Sequence, residues 1–167
     1  MHRMDPAPEL AFRRAMGVFA TGVTVVSVAQ PDGRLVGMTV NSLTSVSLQP
    51  RLVLWCLGDK SARYEAFASV DDWGVTMLGA EERSLAQRYA RSASQDIPPA
   101  NAEAFAAAYV LRAGVAHLAC RTHDRRVAGD HLIIIGEVVD FRVKPGPALT
   151  FFRGGYGRAD APGEEQS

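Results

Sequence analysis

Lysine is nearly absent from this chain. Lys60 and Lys144 are the only two in 167 residues, and arginine supplies the rest of the positive charge. Basic and acidic residues balance at 18 each, so the net charge is zero. That excludes a general electrostatic pull toward nucleic acid or an anionic membrane, and no local basic patch of convincing size replaces it. No apolar run approaches the roughly 20 residues needed to span a bilayer. Met1-His2-Arg3-Met4-Asp5-Pro6 lacks the apolar segment of a secretion signal, so a cytoplasmic protein is expected. Cysteine is equally scarce. Cys56 and Cys120 stand far apart in apolar, strand-like surroundings and read as two buried thiols rather than a disulfide.

The catalytic constellations of several enzyme classes are missing too. There is no Gly-x-Ser-x-Gly elbow, and Ser42, Ser45 and Ser47 have no base nearby in sequence. The histidines and cysteines show no closed metal-site spacing, so no metal is expected. Gly154, Gly155 and Gly157 do not make a dinucleotide fingerprint, which must follow a strand and open a helix.

What is present is hydrophobic patterning for one mainly β domain with peripheral helices over residues 1–158, with 159–167 a disordered tail. Helical spacing runs from Glu9 to Ala20, with Pro8 in the first turn. Val23–Ala29 and Leu35–Val40 read as a hairpin around Gln30-Pro31-Asp32-Gly33. Arg51–Leu57 is a nearly continuous apolar strand, followed by a helix capped by Asp59 or Ser61 and running to Val70. A strand over Asp72–Leu78, a helix over Glu81–Arg91 and a mobile polar loop over Ser92–Ala102 come next. Strands are expected at Ala108–Arg112, Val115–Thr122, His131–Val143 and Leu149–Arg153. Many strands joined by short turns suggest a β-barrel.

The most informative stretch is Gly37–Pro50. Six hydroxyl or amide side chains lie between Thr39 and Ser47, with no charge among them. Such a run reads either as a cradle for a flat, polar cofactor or as a bulged edge strand. A helix N-terminus carrying Lys60 and Ser61 would be an anion site. Gly129-Asp130-His131 opens the apolar strand that follows it. If Asp130 and His131 both lie on that strand, their side chains point to opposite faces and do not pair. His117 reads as a wall residue and His123 as part of a solvated turn. Arg125 and Arg126 either belong to that same turn or could meet a 2′-phosphate.

Several of these segments together resemble the flavin reductase-like family. They are Phe19-Ala20-Thr21-Gly22-Val23-Thr24-Val25-Val26, then Gly37-Met38-Thr39-x-Asn41-Ser42-x-x-Ser45-x-Ser47-Leu48-x-Pro50, then Lys60-Ser61, Phe67, Cys120, Gly129-Asp130-His131 and Gly155-Tyr156. The resemblance runs from about Ala11 to Tyr156. It implies a split β-barrel, a homodimer and binding of FMN or FAD. It also implies hydride transfer from NADH or NADPH and delivery of reduced flavin to a partner monooxygenase. On this chain the implied flavin contacts are Thr39, Val40, Asn41, Ser42, Ser45, Ser47, Lys60 and Ser61. Gly129, Asp130 and His131 would face the nicotinamide, with His131 the catalytic candidate, and Tyr156 would lie near the ring or the dimer contact. The chain departs from the family at Arg51, where many relatives carry proline, and at Thr76, where they carry asparagine. A same-fold alternative is an electron carrier that retains its flavin. A non-enzymatic alternative is a structural or regulatory dimer.

Overall fold

The computed structural model describes residues 8–91 and 96–162. In chain order the elements are α1 (Pro8–Met16), β1 (Thr21–Gly22), β2 (Thr24–Ala29), β3 (Leu35–Val40), β4 (Thr44–Leu48) and β5 (Arg51–Gly58). Then come α2 (Tyr64–Ala68), β6 (Asp72–Met77), α3 (Arg83–Ala90), β7 (Ala102–Phe105) and β8 (Ala108–Leu111). The chain closes with β9 (Ala116–Ala128), β10 (His131–Val143), β11 (Ala148–Phe152) and β12 (Gly155–Ala159). The fold is mainly β, as the patterning predicts.

Seven strands form the main sheet, in the order β3-β2-β6-β9-β10-β5-β4. Its ladder does not close, because the two edges, β3 and β4, are not paired with each other. Small sheets of β1-β11-β12 and β7-β8 pack beside it. Strands β5 and β10 alternate in burial: Trp55, Leu57, Leu132 and Ile134 point into the core while Cys56, Ile133 and Ile135 are only half buried. That alternation fixes the β5–β10 register, since a one-residue slip would expose every core side chain.

Trp55 sits at the centre of one core cluster, edge-on to Phe67 at 5.7 Å and to Trp73 at 6.1 Å. Gly136 is required there, because a side chain on it would collide with the Trp73 indole. A second cluster joins Val23, Val25, Leu78, Ala86, Tyr89, Ile97 and Leu149, and so anchors α3 to the sheet.

Several expectations need correction. The first helix stops at Met16 rather than Ala20, and the second spans only Tyr64–Ala68. Its N-cap is Arg63, with no side-chain cap; the Ser61 hydroxyl instead accepts from the Arg63 N–H at 3.2 Å. A helix this short offers no dipole-based anion site, which removes one argument for Lys60 and Ser61 as a phosphate seat. His123 lies within β9, not in a turn. Of the expected polar loop, 92–95 lie outside the described residues. Ile97 is buried and donates its N–H to Leu35 O at 2.7 Å, which is not the behaviour of a mobile loop. Ala159, expected to begin the tail, ends β12 paired with Ala148, and 163–167 lie outside the described residues.

Candidate functional site

The polar run divides among three structures. Gly37 to Val40 finish β3, Asn41 to Leu43 bend, and Thr44 to Leu48 form β4 at the sheet edge. A register shift between Ser45 and Ser47 bulges that edge. The plainer reading of the sequence, a bulged edge strand, is therefore correct as geometry. It does not oppose a binding role, since an edge strand presents unpaired backbone donors and acceptors.

Some of the run's polar groups serve the fold. Thr39 Oγ1 donates to Ala86 O at 2.7 Å, tying β3 to α3, and Ser42 Oγ accepts from Cys56 N–H at 3.0 Å. The side chains of Asn41, Ser45 and Ser47 have no hydrogen-bond partner among the described residues, while the bond from Cys56 uses one lone pair of the half-buried Ser42 hydroxyl. Asn41 stands where two cavities meet. One, of about 330 Å³, is lined by Gly22, Thr24, Asn41, Thr44, Ser45 and Leu149, among others. The other, of about 180 Å³, is lined by Val23, Thr39, Val40, Asn41, Ala90, Phe151 and Tyr156. The structure thus brings Thr39, Val40, Asn41, Ser45 and Tyr156 together. The Tyr156 ring packs on Phe151 at 5.4 Å, beneath the Arg83 guanidinium at 5.5 Å. A larger groove of about 880 Å³, between Asp32–Leu35, Arg88, Asp96–Pro99 and Tyr109, contains none of these residues.

The second group gathers around two turns. His131 opposes Gly58 in the β5–β10 ladder, and the Asp59 N–H donates to Asp130 O at 3.0 Å. Lys60-Ser61 and Gly129-Asp130-His131 are therefore one surface feature. Gly129 adopts φ +61° to make its turn. Contrary to the strand argument, His131 Nδ1 and Asp130 Oδ1 do meet, at 2.8 Å. The reason is that Asp130 lies in the turn, where side chains do not alternate. This hydrogen bond, more than the neighbouring charges of His131 and Lys60, holds the Asp130 carboxyl below its usual range. With Nδ1 committed, Nε2 remains over Gly58, which has no side chain to cover it. The link between the two groups is Ser61 Oγ, 3.9 Å from Met38 Sδ on β3.

The remaining candidates are committed elsewhere. His117 is wholly buried, with Nε2 at 2.9 Å from Leu111 O and 2.7 Å from Ala113 O. Thr76 is fully buried and accepts from Leu111 N–H at 3.0 Å, so the family's asparagine position is structural here. Arg125 bonds Val70 O and Asp71, and Arg126 bonds Asp124 at 2.7 Å, so neither is a free cation. Cys56 and Cys120 are free; burial pushes the Cys120 thiol to about 12 and leaves it inert. No cluster of metal-ligating residues occurs among the described residues. Nor is any described helix long and apolar enough to cross a membrane. Sequence reasoning missed Ala90 and Phe151, whose apolar side chains carry no chemical signal.

Residues 16–160 match the flavin reductase like domain. The chain is 40% identical to the FMN reductase (NADH) SmoA of Agrobacterium fabrum over 151 residues, 89% of this chain and 84% of that one. It is 30% identical to the reductase component of the 4-nitrophenol 4-monooxygenase/4-nitrocatechol 2-monooxygenase of Rhodococcus opacus, covering 92% and 83% of the two chains. The NADH:FAD oxidoreductase SgcE6 of Streptomyces globisporus, solved in complex with NAD and FAD fragments, superposes with a TM-score of 0.86. That structure is 32% identical and covers 99% of this chain and 100% of its own. The chain belongs to the flavin reductase-like family.

Proposed function

We propose that this chain reduces free FMN or FAD at the expense of NADH or NADPH and releases the reduced flavin to a partner monooxygenase. The observation that carries the reading is the pair of cavities meeting at Asn41. Their uncharged rim offers Asn41 and Ser45, whose polar groups the fold leaves unused. A flavin's pyrimidine edge carries carbonyl oxygens and an N–H, and it needs neutral donors and acceptors of this kind. Asn41, Ser45 and Ser47, the second lone pair of Ser42 and the main chain of Thr39–Val40 would hold that edge. Tyr156 would lie against the ring system, and Lys60 with Ser61 would meet the anionic end.

The flavin, when bound, supplies the two-electron chemistry by accepting a hydride from the nicotinamide, so the chain itself needs no nucleophile or paired carboxylates. Its residues orient the two rings. Such positioning can supply on the order of 7 kcal/mol of barrier reduction. His131 would receive the nicotinamide side, with Asp130 fixing its ring through Nδ1, Gly129 making the turn before it and Gly58 leaving Nε2 uncovered.

The whole domain is read as a split barrel that works as a homodimer. Helix α1 buries none of its residues. Leu10, Phe12, Met16, Val18, Phe19, Leu48 and Phe152 are exposed, and the Arg153 N–H to Gly17 O bond at 2.8 Å joins this helix end to β11. Exposed apolar surface of this extent fits a second copy. Loss of NADH or NADPH absorbance, followed with each flavin in turn, tests the activity. Oxidation that depends on added flavin is the expected result, and no flavin dependence would refute it.

A further inference from the structure

Arg63 is 6% exposed, yet it carries a full charge and has no carboxylate beside it among the described residues; burial alone shifts its pKa, downward. Main-chain carbonyls accept from both of its Nη groups, while its buried Nε has no hydrogen-bond partner among the described residues. Nη1 donates to Gly37 O at 3.1 Å and Tyr89 O at 2.5 Å, and Nη2 to Arg91 O at 3.2 Å and Ala90 O at 3.5 Å. Tyr89 and Ala90 end α3, so their carbonyls have no partner within the helix and form its negative pole. Gly37 belongs to β3, two residues before Thr39. The strand approaches α3 so closely there that a Cβ on Gly37 would stand 3.0 Å from the Tyr89 ring.

The two elements that Arg63 joins both line one space. The 180 Å³ cavity is lined by Thr39, Val40 and Asn41 at the end of β3 and by Ala90 at the end of α3, among others. The backbone N–H of Arg63 also bonds the Ser61 hydroxyl, so the same residue fixes the Lys60–Ser61 turn. We infer that Arg63 is a positioning residue for the flavin, setting the separation between the β3 wall and the end of α3. It touches neither cofactor nor nicotinamide. A planar fork spanning four carbonyls is a task for guanidinium, and an ammonium at the same place is a point charge that cannot span them. The inference rests on the flavin reading of this cavity.

The test is Arg63→Lys in the full chain, compared with Glu82→Gln. Glu82 clamps the Gly79 and Gly114 N–H groups at the other end of α3, at 2.7 and 2.8 Å, and so reports a loss of stability that removes none of the Arg63 bonds. Arg63→Lys should raise KM for FMN by roughly tenfold while leaving kcat at saturating flavin and KM for NADH within about twofold, the split expected when only binding geometry is lost. Glu82→Gln should lower Tm with no change in KM for FMN. Arg63→Ala should recover FMN affinity in millimolar ethylguanidinium. An unchanged KM for FMN in Arg63→Lys, or equal rises for FMN and NADH, would overturn the assignment. Should Arg63→Lys not fold, hydrogen exchange of the wild-type chain decides. FMN must then slow exchange at 37–41 and 89–91 together, and protection of 37–41 alone would overturn it. A wild-type chain that neither binds nor turns over flavin would instead refute the underlying function.

Discussion

The backbone N–H of Asp59 donates to the carbonyl oxygen of Asp130 across 3.0 Å, joining turns 71 residues apart in sequence (130 − 59 = 71). Because the bond is main chain to main chain, side-chain substitutions at either turn leave it in place. The surface carrying Lys60, Ser61 and His131 can therefore be dissected residue by residue without collapsing its frame.

His131→Ala should raise KM for the nicotinamide about tenfold and leave KM for flavin and Tm nearly unchanged, since the imidazole is exposed and, among the described residues, bonds only Asp130. Steady-state kinetics with each substrate varied in turn provide the check. An unchanged nicotinamide KM would remove His131 from the site.

Asn41 and Thr39 are neighbours on the same run with opposite duties. Asn41→Ala should raise KM for flavin by roughly tenfold with little loss of stability, because no partner among the described residues is abandoned. Thr39→Val should cost about 1 kcal/mol in urea unfolding, because it removes the 2.7 Å bond to Ala86 O. Equal stability losses in the two variants would contradict this division.

These duties mark how far the sequence could be read. Strand β5 was evident as a nearly continuous apolar run and β10 as the apolar strand opened by Gly129-Asp130-His131, whereas β9 was cut short at Thr122 because the charged residues around His123 read as a solvated turn. Strands β7, Ala-Glu-Ala-Phe, and β12, Gly-Tyr-Gly-Arg-Ala, carry no β-branched residue and exist through pairing with β8 and β11. Local composition could not announce them. The polar run was visible as a site because its lack of charge is unusual. Its partition into structural and unused hydroxyls was not visible, since that depends on where α3 and β5 pass. Arg63 was the least legible residue, because a lone arginine beside a lysine and a serine reads as solvated surface.

His117 gives the fold a pH dependence. Arg142 Nε donates to its Nδ1 at 3.2 Å, so Nε2 carries the proton and donates to Leu111 O and Ala113 O. Burial, more than any neighbouring charge, holds its pKa below the ordinary 6.5. The unfolded chain therefore takes up the proton at higher pH than the native chain does. The stability contribution is complete above that ordinary value and is lost as pH falls below it, by at most about 1.4 kcal/mol per pH unit. Urea midpoints between neutral and mildly acidic pH should show this slope in the wild type and a flatter one in His117→Gln. Identical slopes would contradict it.

Phe12 is 67% exposed and Phe19 is 72% exposed, both on the face assigned to a second copy. Phe12→Glu combined with Phe19→Asp should give a monomer in light scattering, and the wild type should give a dimer. A monomeric wild type would refute the assembly.

The most direct test of the account is anaerobic mixing of the wild-type chain with excess NADH and a roughly hundredfold excess of free FMN or FAD, following flavin absorbance. Bleaching of all the flavin over many turnovers is predicted, because the unused donors around Asn41 would bind the ring without charge and let it leave. Reduction that stops at one flavin per chain, or no reduction at all, would contradict the claim that this chain supplies free reduced flavin.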